Sequence, residues 1–187
     1  MASLVESPLN NISYEKWVYP GLLVLIGIIS LIPVLYRDLF DFRIHKKAIM
    51  YMTLAPISKL KLIIGILVGA ILESLILVII GLLVLFFVTG IILNWGDYFI
   101  IFGFIIIINT LVGSFITTLA LLAARVFSFI FILMIFFCYV LFGSGIIVPL
   151  DIFPDQLRVL IQYLPLNVMI HELHLVIFTG VFHWIPL

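Results

Sequence analysis

The sequence predicts an all-α integral membrane protein, and three observations carry that prediction. Of 187 residues, 66% are hydrophobic and only 10% charged, whereas a soluble domain has about 45–50% apolar and 25% charged residues. Four long stretches hold at most one interior charge each, and each reaches the roughly 20 residues that a helix needs to cross a bilayer. Six of the nine Lys and Arg fall between the first two of these stretches.

The first span, 17–36, opens on the aromatic anchors Trp17 and Tyr19 and closes at Tyr36 beside Arg37. The second covers about 60–88, long enough to tilt, with Glu73 inside it. The third and fourth, 98–124 and 126–150, are separated only by Arg125 and must form a tight helical hairpin. A Phe-rich run in the fourth, Phe127, Phe129, Phe131, Phe136, Phe137 and Phe142, is bulk for lipid or subunit contact.

Beyond 150 the pattern changes. Leu157, Leu160, Ile161 and Leu164 recur at helical spacing behind Asp151, Pro154, Asp155 and Arg158, predicting a short helix with one apolar face. Pro165 ends it, and a weakly amphipathic segment, 167–178, follows before Gly180. These outer helices, within 152–180, are expected to lie in the interface, held by Tyr163 and Trp184. A fifth span over 167–185 is the alternative. With no repeat, low-complexity tract or linker, residues 1–187 read as a single transmembrane domain.

Arg37, Arg43, Lys46, Lys47, Lys59 and Lys61 share one loop region, and Arg125 reaches the same side after two more crossings. Lys16 and Arg158 lie opposite, so seven basic residues against two place loop 37–59 in the cytoplasm of a multi-pass cell-membrane protein. Residues 1–16 are polar and lack the pattern of a cleaved signal peptide. The triplet Asn11-Ile12-Ser13 is read as a chance sequon.

Several function classes are excluded. A formal charge of zero leaves no basic face for nucleic acid. Cys138 is alone, so there is no internal disulfide. His171, Glu172 and His174 do not match the His-Glu-x-x-His zinc pattern and read as interfacial polar residues. No catalytic constellation, cofactor box or metal cluster is found. No Walker A pattern occurs either, so this chain does not hydrolyse ATP and is read as a non-enzyme.

Three intramembrane residues are candidates for a transport path: Glu73, Asn109 and Thr117. Glu73 is expected about nine or ten residues deep, on the order of 14 Å. A carboxylate there faces a bundle interior or an aqueous path. Gly65, Gly69, Glu73, Leu77 and Gly81 fall four apart, giving a small-residue face. Glu73 is then either a path or gating acid, or a protonated group bonded to a neighbouring helix. Asn109 and Thr117, with Ser114 and Thr118, line a path or hydrogen-bond between helices.

Two ordered motifs carry a family resemblance. Pro20-Gly21-Leu22-Leu23, then Arg37 and Asp38, then Leu54-Ala55-Pro56-Ile57-Ser58-Lys59 and Gly65 form the inner one. Ser144-Gly145-Ile146-Ile147-Val148-Pro149-Leu150, Phe153-Pro154 and Leu164-Pro165-Leu166-Asn167 form the outer one. Together they resemble the permease subunits of ATP-binding-cassette type-2 exporters, over about 17–180. The resemblance implies a cytoplasmic ATPase that hydrolyses ATP, a second permease copy, and a coupling helix in the first loop. Carried onto this chain, coupling falls to 44–60, with Lys46, Lys47, Met52, Pro56, Ser58 and Lys59. It also implies six spans, of which this chain is expected to lack the first and last.

The sequence therefore predicts the membrane subunit of an ATP-driven exporter. A secondary transporter or channel using Glu73, and a membrane fragment that only binds partners, are the alternatives.

Overall fold

The computed structural model describes residues 13–41, 58–123 and 125–180. Among these the chain is predominantly helical, without strands. Helix α1 (Tyr14–Leu35) runs into a π-helical turn, Tyr36–Asp41. Helices α2 (Lys59–Thr89) and α3 (Trp95–Leu122) follow. Helix α4 (Val126–Cys138) continues into a second π turn, Tyr139–Gly143. The outer helices are α5 (Asp155–Gln162) and α6 (Pro165–Thr179).

Four of these segments are long and apolar enough to cross a membrane: Tyr14–Leu39, Lys59–Thr89, Trp95–Leu122 and Val126–Gly143. Their ends follow local chemistry. The Ser58 hydroxyl accepts from the Lys61 N–H and caps α2. Gly90 closes that helix at φ 65°, a left-handed conformation that glycine adopts without steric cost. The Asp97 carboxylate reaches back to the Asn94 N–H at 3.2 Å, fixing the start of α3.

Helix α1 is the core of the bundle. In its most apolar window 72% is buried, against 39% for α3 and 17% for α2 and α4. Leu23, Ile28, Leu31 and Leu35 pack into the stripe Ile101, Ile105, Ile108, Val112 and Ile116 of α3, spaced by three and four residues. Glycine lets the backbones approach where α1 meets α3. A Cβ on Gly27 of α1 would lie 3.2 Å from Asn109 Nδ2 of α3, and one on Gly113 of α3 would lie 2.6 Å from Leu67 Cδ1 of α2, which closes over the same seam. The broad exposed surface of α2, including Leu72, Ile76, Ile80, Leu83 and Phe87, is apolar as lipid contact requires.

The fourth span ends sooner than composition suggests. Its helical part stops at Gly143 rather than near 150, because the chain bends through Gly143-Ser144-Gly145, with Gly145 at φ 78°. Ile146 beyond the bend is buried without being helical and wedges against α1 at Gly21. The third span likewise ends at Leu122, before the extended Ala123. Helices α5 and α6 meet at 87°. Helix α5 buries no residue, whereas α6 docks Leu166, Ile170 and Leu173 into the core.

Candidate functional site

Charge inside a membrane is the first place to look for function, because an unpaired ion there is costly. Glu73 is not alone. Arg37, in the π turn that ends α1, donates from Nη2 to both Glu73 oxygens at 3.2 Å. The same guanidinium grips its neighbour Asp38, with Nε at 2.6 Å from Oδ1 and Nη2 at 3.1 Å from Oδ2. Arg37 and Glu73 are each half-exposed, at 50% and 49% of the side chain. The cluster holds one cation and two carboxylates, a local surplus of one negative charge.

Depth follows from the next residue along α2. Ser74 is fully buried and accepts from Asn109 Nδ2 at 2.9 Å, while its own hydroxyl donates to the Ile71 carbonyl at 2.8 Å. Asn109 stands midway along α3 and against Gly27, midway along α1. Glu73 is therefore level with the middle of the bundle, and Arg37 extends from the inner end of α1 to meet it. Its partner lies 36 residues away in sequence, and nothing in local spacing pairs the two.

The candidate path residues do not share one surface. Glu73 faces outward from the α1–α2 pair, while Asn109 and Thr117 are buried in the α3 stripe. Asn109 Oδ1 and Thr117 Oγ1 have no hydrogen-bond partner among the described residues. Of the coupling candidates, Lys46, Lys47, Met52 and Pro56 lie outside the described residues. Ser58 and Lys59 are exposed at the start of α2.

A second cluster closes the end of the bundle where α1 begins and α6 docks, and spacing had not singled it out. The Tyr14 hydroxyl donates to the Ile147 carbonyl at 2.8 Å. Asn167, from the Leu164-Pro165-Leu166-Asn167 motif, donates to the Gly143 carbonyl at 2.6 Å and accepts from the Tyr139 hydroxyl. It thus ties α6 to the π turn of α4. His174 is buried and stacks on Trp17, with ring centroids 4.8 Å apart and planes at 13°. Its Nε2 lies 3.0 Å from the Trp17 carbonyl; a carbonyl only accepts, so Nε2 carries the proton. Burial pushes the His174 pKa down to about 4, against the opposing pull of the Trp17 carbonyl. His171, on the same helix, is exposed.

Comparison with known proteins supplies the family. The model of a family described as ABC-2 type transporter matches residues 4–178. No curated protein and no solved structure matches. The match takes in all four membrane-crossing helices, both π turns, the Arg37–Glu73 pair and nearly all of α6. The chain belongs to the ABC-2 type transporter membrane family and is a permease subunit of an ABC-type transporter.

Proposed function

We propose that this permease works as an exporter in the cell membrane, driven by a separate cytoplasmic ATPase that docks on the 37–59 loop. In this reading it pairs with a second permease copy, and the ATPase alone binds and hydrolyses ATP. The basic loop, carrying Lys46, Lys47 and Lys59, lies inside by charge bias. It also offers a cationic, hydrogen-bonding surface to a partner.

The observation that carries the reading is the half-exposed ion pair at mid-depth. A guanidinium and a carboxylate facing outward from the middle of a bundle need water or protein over them, not hydrocarbon. The α1–α2 face that holds Glu73 is therefore assigned to an aqueous path or to contact with the second permease. Asn109 and Thr117 are assigned to helix packing, since both are buried among α3 neighbours. A proton-coupled carrier built on Glu73 is disfavoured, because both carboxylate oxygens are already engaged by Arg37.

Co-purification tests the partnership. The ATPase is expected to remain bound to the detergent-solubilised permease and to dissociate when Lys46, Lys47 and Lys59 are replaced together by Glu. Retention of the ATPase by that triple variant would refute docking through the basic loop.

A further inference from the structure

A push delivered at the cytoplasmic loop reaches the bundle through two chain ends, the π turn after α1 and the Ser58 cap of α2. Glu73 stands 14 residues beyond Lys59, about 21 Å along the axis. Held only at its base, a helix of that length would pivot rather than follow. Arg37 supplies a second hold.

Arg37 is itself fixed. Its Nε and Nη2 bind the adjacent Asp38 carboxylate, and Leu39, two residues on, is buried in the core. Insertions of π geometry recur in helices at functional positions. Farther out, Ile26 of α1 fills the space over Gly81 of α2, where a Cβ would lie 2.7 Å from Ile26 Cδ1. The ion pair on the outward face and this contact, with Ala70, Ile71, Ser74 and Val78 buried between them, hold α2 against the bundle on both faces, so α1 and α2 form a braced unit.

We propose that Arg37 and Glu73 form a strut that carries displacement of the 37–59 loop to the middle of α2, making them positioning residues of the transport cycle. The proposal rests on the reading that an ATPase docks on that loop. The guanidinium is suited to this role because its planar fork holds both carboxylates at once and keeps its charge throughout. The strut also accounts for an ion pair at a depth where it costs stability: it couples motion rather than strengthening the fold.

The test uses the complex of permease and ATPase in lipid nanodiscs. Cys138→Ser removes the native thiol, and Gly69→Cys places a reporter one turn below Glu73, where a Cβ meets nothing within 4 Å. Modification by a methanethiosulfonate reagent is timed with and without ATP. In the chain with the pair intact, ATP is expected to change the rate at least threefold. Glu73→Gln and Arg37→Gln should each abolish that change while the ATPase stays bound and hydrolyses ATP. The reciprocal exchange, Arg37→Glu with Glu73→Arg, should restore it.

Glu73→Asp, which keeps the charge on a shorter arm, is expected to restore the response in part. Elution volume and thermal midpoint report whether each variant is folded, and the near-isosteric Glu73→Gln variant keeps the comparison valid if the exchange is not. An ATP response that survives Glu73→Gln, or fails to return in a folded exchange variant, overturns the strut. If the ATPase does not co-purify with the unsubstituted chain, the docking reading fails and the strut with it.

Discussion

Glycines in this chain do opposite jobs that look identical in sequence. Gly113 sits under Leu67, where a Cβ would be 2.6 Å from Cδ1, while Gly69 has nothing within 4 Å. Gly113→Leu is therefore expected to lower stability by roughly 1–3 kcal/mol through overpacking. Gly69→Leu should leave the thermal midpoint in detergent unchanged or slightly higher, since glycine is a poor helix former. Equal losses in both variants would show that α3 is not close-packed under Leu67 of α2.

His174 makes a pH prediction at the same scale. Its folded pKa of about 4 lies below the ordinary 6.5, so between those values the unfolded chain binds the extra proton. Stability is then full above about pH 6.5 and falls as pH drops toward 4, by on the order of 3 kcal/mol in all. Thermal midpoints of the parent and His174→Phe should converge as the medium is acidified over that window. A parent curve that is flat between pH 7 and 4 would contradict the buried neutral ring. The residue was visible as a polar group near the outer interface. Its burial was not, because Trp17, its stacking partner, lies 157 residues earlier.

Among the elements, α1 to α3 were legible because a run of about 20 apolar residues admits few solutions in a membrane. The end of α4 was not. Residues 144–150 are as apolar as a helix interior, so hydropathy carries across the break, and only Gly143 and Gly145 hint that the helix stops. What secures that end is Asn167, which bridges Gly143 and Tyr139 from α6. Asn167→Ala should cost roughly 1–3 kcal/mol by leaving buried groups unpaired. Amide exchange should quicken over 139–146 while the α1–α3 core stays protected. Uniform loss of protection would instead make the α6 clamp part of the central cooperative unit.

For the whole molecule, orientation is the property that composition carries best. The charge bias predicts Lys59 inside and, one crossing of α2 later, Thr89 outside. In a Cys138→Ser background, a membrane-impermeant thiol reagent applied to intact cells should label Thr89→Cys and spare Lys59→Cys. The reverse pattern would invert the chain and remove the loop from the ATPase. The family was legible at this scale too, from two motifs at opposite ends of the bundle. The site was legible only in part: Glu73 is conspicuous as a lone intramembrane acid, but its counter-ion is set by how α1 and α2 are held together, which no local pattern encodes.

The contact between Trp17 and His174 joins the start of the first helix to the last helix described, and that fixes when it can form. A chain emerging from the ribosome inserts α1 before the helices that follow it, and the aromatic face of Trp17 must wait through three further crossings for its imidazole. Until the segment after α4 arrives, Tyr14 also lacks the Ile147 carbonyl. Closure of the outer end is thus a late event in biogenesis, and every incomplete chain presents the same open aromatic edge beside the first span.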